Sequence, residues 1–534
     1  MAIKKESFMK GVLVMMGAQL LIKVMGFVYR IILTNFPQFG NEGNSYYGSG
    51  YRVYMFILAI ATTGIPNTIS KIVSEKAAVG DNRGAHRVFK IALVFFSIIG
   101  LICSVGLFVF ADFIAQNVLA NPGVELTMKV LAPAVFFCAV AAVFKGYFVG
   151  LSNMTLTSTS QIIDQLVNSI GSVVFVAMLL NTSPEVMAAG STLGTTLATL
   201  VSLIYIIMYY NHNKKDIWKE VRESPKTEKL RKRDVVKQLL KYVIPISFGS
   251  VVVTIANMID LMTVIQGLTK YGYVMEKANE IFGIILGKVD ILISLPLAIN
   301  IAFSTALVPA VSAAMAKRNK KEAKRKIKFS LKVSSMIAFP CAVGLCVLAN
   351  PIIKMLFPTT PDGGYLLQIA AWTVMFSVIA QTAYGGLHGI GKMLVPGICL
   401  VFGVIVKYIM NVTLIPVFGE TMAVLSTVIY QVVAASLAVI LLFRYLKEKI
   451  EIGDIFLKPA LSAGIMGVIA VFGHKLLLLV THSNTLATIV TIIISAVVYV
   501  VLLILFRSLN ESEIEELPKG HKINAMLKKF KRVN

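Results

Sequence analysis

Apolar stretches close to the length of a bilayer crossing follow one another down almost the whole chain, and that recurrence decides what it can fold into. A helix of about 20 apolar residues spans the hydrocarbon layer. The stretches fall at residues 8–33, 48–70, 88–111, 127–150, 158–180, 188–210, 240–265, 281–307, 329–349, 365–387, 394–415, 421–443, 456–479 and 485–506. They lack the alternating pattern of a barrel wall, and only helices satisfy their own backbone polar groups in lipid. The chain is 57% hydrophobic and 15% charged, where soluble domains carry about 25% charged residues. The expected fold class is all-α: a polytopic integral membrane protein of about fourteen transmembrane helices.

The charges lie between these stretches and favour alternate gaps. Residues 211–241 hold eleven Lys or Arg against five acids, and 317–328 hold eight against Glu322 alone. The segment 71–90 adds Lys71, Lys76, Arg83, Arg87 and Lys90, and 444–458 adds Arg444, Lys447, Lys449 and Lys458. The intervening gaps carry Glu42, Glu185 and Glu420, or, in 266–280, Lys270 and Lys277 balanced by Glu276 and Glu280. Basic loops stay cytoplasmic. An even number of spans then predicts a multi-pass protein of the bacterial cytoplasmic membrane with both termini inside. The net charge of +24 is accounted for by topology and by attraction to anionic headgroups, so no nucleic-acid partner is implied. The tail, with Lys519, Lys522, Lys528, Lys529, Lys531 and Arg532 around Phe530, reads as an amphipathic segment on the membrane surface. Cys103, Cys138, Cys341, Cys346 and Cys399 sit in apolar runs and read as small hydrophobes. The six histidines are scattered and show no metal-ligand spacing. No phosphate-cradling loop is present, so neither metal nor cofactor nor direct ATP use is expected, and the chain reads as no enzyme.

The longest polar linker divides the chain. Residues 1–210 form an N-terminal six-helix lobe, 211–240 a basic cytoplasmic linker, 241–445 a C-terminal six-helix lobe, 446–507 a trailing helix pair and 508–534 a basic cytoplasmic tail. Ile65-Pro66-Asn67 before one basic stretch is echoed by Val308-Pro309-Ala310 before another. Lys145-Gly146-Tyr147-Phe148-Val149-Gly150 ends the fourth span as Tyr384-Gly385-Gly386-Leu387-His388-Gly389 ends the tenth. A duplicated lobe, with a cavity between copies that opens to each side in turn, is the expected arrangement. Generic small-residue helix packing is the plainer alternative.

Charges inside the spans cost about 2.5–3.5 kcal/mol near a helix centre and therefore face a cavity or a partner. Lys23 and Arg30, seven positions apart, share one face of the first span. With Arg52 and Lys145 they form a cation set suited to an anionic group such as a diphosphate. Their structural reading is snorkelling for Arg30, Arg52 and Lys145, each near a span end, and an internal ion pair with Asp164 or Asp260 for Lys23. Gln161, Asp164, Gln165 and Asn168 make a polar stripe along the fifth span. Asn257 and Asp260 make a shorter one in the seventh. Lys288 and Asp290 in the eighth span and Lys407 in the eleventh complete the charges read as cavity-lining or coupling residues. Helix–helix hydrogen bonding is the alternative for the stripes.

Leu21-Ile22-Lys23-Val24-Met25-Gly26-Phe27-Val28-Tyr29-Arg30, Gly64 to Glu75 and Gly150 to Gln161 resemble the polysaccharide-transporter branch of the multidrug/oligosaccharidyl-lipid/polysaccharide (MOP) exporter superfamily. Within it the chain is most similar to the Gram-positive MurJ-type lipid II flippases and their stage V sporulation protein B relatives. The resemblance implies a MATE-like two-lobe transporter with two trailing helices, in which cations of the first and second helices line a central cavity. Lys23 and Arg52 stand at those positions. Gram-negative members carry Arg and Asp where this chain has Tyr29 and Arg30. Their Ala-Asp-Arg element in the eighth helix is Val289-Asp290-Ile291 here, leaving Lys288 as the nearby cation. The last two helices match a lipid-tail groove by position.

The function so implied is translocation of an undecaprenyl-diphosphate-linked cell-wall precursor, foremost lipid II, from the inner to the outer leaflet, in support of peptidoglycan synthesis and cell shape. Three alternatives stand beside it: export of another lipid-linked polysaccharide or spore-cortex precursor, cation-coupled drug export, and a non-transporting scaffold for envelope assembly. The expected partners are the lipid-linked glycan, membrane lipids and cell-wall synthesis proteins. The expected working unit is a monomer, coupled to the membrane potential or to an ion the sequence does not name.

Overall fold

The computed structural model describes residues 8–224, 231–448, 450–506, 508 and 513, with side chains for all but 8–13, 16, 245–246, 302 and 305–306. The basic tail over 508–534 lies outside the described residues except for Ser508 and Glu513, and so does part of the linker. Among the described residues, fourteen helices are long and apolar enough to cross a membrane. They are Gly17–Thr34, Gly40–Ala78, Asn82–Val118, Pro122–Gly150, Met154–Met178, Pro184–His212, Ser247–Tyr271, Met275–Ile301, Lys320–Val347, Gly364–Gly389, Val395–Phe418, Glu420–Leu446, Gly453–Thr481 and Asn484–Leu505, the first to the fourteenth spans. Each overlaps one expected stretch, so the fold is the all-α polytopic membrane fold. Val94, Ile98, Leu101, Ile102, Val105, Phe108 and Val109 are large, apolar and exposed along the third span. Such a face is stable only against lipid.

Side chains mark where several helices begin. Asp81 accepts from the Gly84 amide at 2.8 Å, and Asn319 from the Glu322 amide at 3.1 Å, each satisfying an amide that the first helical turn leaves without a partner. The structure departs from the sequence reading where polar residues extend helices. Gly40–Ala61 is already helical ahead of the apolar run, breaks at Thr62–Gly64, and resumes as Ile65–Ala78 with Pro66 at its start. Proline fits there because the first-turn amide needs no helical acceptor. The basic segment after Lys320 is likewise helix, Lys320–Val347. The linker contains an amphipathic helix, Lys214–Glu223, whose Ile217 and Val221 join the core of the first spans.

The chain forms two compact units. The first comprises Met1–Leu292, Phe357–Thr360 and Leu400–Ser426, and the second Ile293–Leu356, Pro361–Cys399 and Thr427–Asn534. The eighth span belongs to the first unit as far as Leu292. Pro296, inside the same helix, has no amide hydrogen to donate to the Leu292 carbonyl.

Within the first unit, a Cβ at Gly146 would lie 2.8 Å from the Pro66 carbonyl oxygen, and one at Gly150 would lie 2.8 Å from Val73 Cβ. Glycine is required because the fourth span touches the helix after Pro66 at backbone distance. The same relation recurs inside the second unit. A Cβ at Gly385 would lie 2.8 Å from the Ser304 carbonyl oxygen, and one at Gly389 would lie 2.7 Å from Val311 Cβ, on the helix containing Pro309. The second unit also buries a polar knot in which Asn300 donates to the Val378 carbonyl at 3.0 Å and accepts from Ser334 at 2.9 Å. Lys332, nearly buried, pairs with Asp454 at 3.0 Å and Glu513 at 2.9 Å.

Candidate functional site

Four of the expected charges meet inside the first unit. Arg52 of the second span reaches Asp260 of the seventh through Nη1 at 3.4 Å, and Asp290 of the eighth through Nη2 at 2.5 Å. Lys407 of the eleventh span donates to the same Asp260 oxygen at 2.7 Å. Asn411, four residues beyond Lys407, donates to the other Asp260 oxygen at 3.2 Å and to Thr263 at 2.9 Å. Cation and anion therefore alternate along Lys407, Asp260, Arg52 and Asp290, and the chain sums to zero. That is how an apolar bundle carries ionised groups, since each buried charge needs an opposite one at hydrogen-bond distance. Lys407 is 2% exposed and Asp260 9% as side chains, whereas Asp290 is 42% exposed.

The local helix geometry sorts the eighth-span pair. Ile285–Val289 forms one wide turn immediately before Asp290, the kind of bulge that re-aims side chains. Lys288, fully buried, donates to the carbonyl of Thr360 and lies 5.7 Å from the centre of the Phe357 ring. Asp290, two residues on, turns instead to Arg52.

The first-span cations are placed differently. Arg30 is 8% exposed and its guanidinium lies 4.2 Å from the centre of the Tyr47 ring. Tyr47 in turn stacks on Tyr51 and shares a 3.1 Å hydrogen bond with the Tyr29 hydroxyl. Cation–π contact fixes the plane of the guanidinium, yet Arg30 Nη1 is buried without an acceptor. Lys23 is exposed and enters no ion pair among the described residues, with Asp164, Asp260 or any other acid.

The fifth-span stripe divides. Gln161 accepts from Gln19 of the first span at 3.0 Å, and Gln165 donates to Ser169. Asn168 accepts from Ser172 at 3.1 Å and from Thr195 at 2.9 Å, in the seam between fifth and sixth spans. Asp164 is partly exposed and lies close enough to Lys145 to interact electrostatically, with no ion pair between them. Asn257 is partly exposed one turn before Asp260. Sequence reasoning passed over Asn411, Thr263 and Tyr47. The i, i+4 spacing from Lys407 was a signal for Asn411, and the cluster Tyr46, Tyr47, Tyr51 and Tyr54 at the head of the second span was one for Tyr47.

The chain is similar to known membrane proteins. Stage V sporulation protein B of Bacillus subtilis (strain 168) is 26% identical over 293 residues, 55% of either chain, so the match spans about half the length of that relative. The lipid II flippase MurJ of the same organism is 24% identical over 481 residues, 87% of this chain and 88% of that one. A solved structure of the lipid II flippase MurJ, in an inward closed conformation, superposes with a TM-score of 0.68 at 14% identity, covering 93% of this chain and 99% of the other. That likeness shows that the two chains share a fold. Residues 245–413 match the MatE family, and residues 8–315, more than half of the chain, match the family described as "Polysaccharide biosynthesis protein". The chain belongs to that polysaccharide biosynthesis protein family.

Proposed function

We propose that this protein is a flippase that carries an undecaprenyl-diphosphate-linked cell-wall precursor, foremost lipid II, from the cytoplasmic to the outer leaflet by alternating access. The observation that carries the reading is the allocation of charge. Asp260 and Asp290 are both taken up by cations of the protein, while Arg30 keeps a buried donor without an acceptor and Lys23 has no acid beside it among the described residues. A charge allocation of this kind favours an anionic ligand, and a diphosphate supplies several oxygens to a guanidinium fork and an ammonium point charge. A drug exporter for organic cations needs the reverse, acids in excess of cations; Asp164, which forms no ion pair among the described residues, has Lys145 within electrostatic reach. Fold and family support a transporter of lipid-linked saccharides, and the two relatives support a cargo of cell-wall or spore-envelope precursors. Basic loops support a location in the cytoplasmic membrane with both termini inside. Alternating access would follow the rocking-lobe scheme of secondary transporters.

Complementation tests the cargo. In a bacterium depleted of its own lipid II flippase, the wild-type chain should restore growth. Lys23→Gln and Arg30→Gln should not, at equal membrane abundance, while Lys219→Gln on the linker helix should restore it. Rescue by both first-span variants would remove the diphosphate assignment. The match to stage V sporulation protein B favours a second reading, in which the chain restores spore-envelope assembly and leaves growth unrescued.

A further inference from the structure

We infer that Asp290 is a placeholder for the anionic group of the cargo: it holds Arg52 until a diphosphate takes its place. This rests on the reading of the cargo as a lipid-linked diphosphate. The two carboxylates on Arg52 are not equivalent. Asp260 is nearly buried and is held on three sides, by Arg52 at 3.4 Å, Lys407 at 2.7 Å and Asn411 at 3.2 Å. Losing Arg52 would leave it still paired. Asp290 is 42% exposed, and Arg52 is its ion-pair partner at 2.5 Å. Asp290 is the more exposed of the two acids, so parting this pair strands a less buried charge than parting Asp260 from its cations would. Arg52 is itself only 15% exposed, so an anion must replace the one it gives up. Lys288, the neighbouring cation, is committed to the Thr360 carbonyl and does not stand in for Arg52.

Asp290 therefore sets a threshold. A phosphodiester headgroup, with one negative charge, offers Arg52 no more than the carboxylate already does. A diphosphate carries more charge and more acceptor oxygens and wins the guanidinium. Bulk anionic phospholipid is excluded by the same contact that lets the cargo in. When the cargo leaves, the carboxylate reclaims Arg52, which keeps binding weak enough for turnover.

Farnesyl diphosphate and a short-chain phosphatidylglycerol, a phosphodiester of one negative charge, are titrated into the purified full-length protein to test this. Asp290→Asn should bind farnesyl diphosphate about tenfold more tightly than wild type. It should also gain binding of the phosphodiester, narrowing the discrimination between the two. Asp290→Ser provides a second variant should the amide distort the site. The gain should vanish in Arg52→Gln/Asp290→Asn, which separates displacement at Arg52 from a general loss of negative field. Equal or weaker binding by both Asp290 variants overturns the proposal while leaving the cargo class intact. A gain that persists without Arg52 also overturns it. Absence of farnesyl diphosphate binding by wild type and variants alike overturns the cargo reading and the placeholder with it.

Discussion

Asp260 makes more polar contacts than the other charges of the site, to Arg52, Lys407 and Asn411. Its removal would leave Lys407, 2% exposed, as a buried charge that has lost its carboxylate. Breaking a buried pair from one side costs about 3–5 kcal/mol, whereas replacing both partners with apolar groups is often close to neutral. Asp260→Ala should therefore lower the melting temperature of the purified protein sharply, and Asp260→Ala/Lys407→Met should recover most of the loss. Additive losses in the double variant would show that the two residues do not act as a pair. At this scale the sequence named the charges without their partners. Each ionisable residue in an apolar run announces itself, and Arg52, Asp260, Asp290 and Lys407 were all visible. Which of them meet depends on contacts between residues far apart in the chain, 147 positions for Lys407 with Asp260 and 238 for Arg52 with Asp290. Asn168 illustrates the same limit. Its place on a polar stripe was legible, but its bonds to Ser172 and Thr195 in a helix seam depend on which neighbour packs there.

Helices are the level at which the sequence was most informative, since length and apolarity alone place a crossing segment in lipid. Polar ends were less legible. The segment from Gly40 looked like a loop because it is rich in Gly, Asn, Ser and Tyr, yet it is helical and largely buried. Glycines of the eighth span let it meet the second span at backbone distance. A Cβ at Gly283 would lie 1.7 Å from the Asn41 carbonyl oxygen, and one at Gly287 would lie 2.3 Å from Asn44 Cγ. Gly283→Ala should thus act as an overpacking change of about 1–3 kcal/mol. Gly106→Ala, where a Cβ meets nothing within 4 Å, should be neutral or stabilising by up to about 1 kcal/mol through helix propensity. Melting curves of the two variants in one detergent check the contrast. Equal effects would mean that the spans yield at this contact.

For the whole molecule, the division of labour between lobes was read from the linker and from paired motifs. The Gly-xxx-Gly pairs at Gly146 and Gly385 do serve the same packing role in their respective units. The compact units do not begin and end at the linker, because residues of the seventh, eighth and eleventh spans gather with the first six. No local pattern encodes that grouping; it depends on long-range helix packing, of which the contacts at Asp260 and Gly283 are part. Orientation is a property of the whole chain and is open to labelling. In a cysteine-free background, Glu185→Cys and Glu420→Cys should react with an impermeant thiol reagent in intact cells. Lys219→Cys and Arg318→Cys should react only after the membrane is opened, and labelling of Lys219→Cys from outside would invert the proposed direction of transport.

The direction and the cargo meet in one measurement. The purified protein is reconstituted into vesicles with lipid II, with a second undecaprenyl-diphosphate-linked glycan, or with a neutral undecaprenyl glycoside, and the arrival of each headgroup at the opposite leaflet is followed with and without an imposed membrane potential. The account predicts protein-dependent transfer of lipid II, none of the neutral glycoside, and loss of transfer in Arg30→Gln vesicles containing the same amount of folded protein. Transfer of the neutral glycoside at the rate of lipid II, or full activity in the Arg30→Gln vesicles, would contradict it.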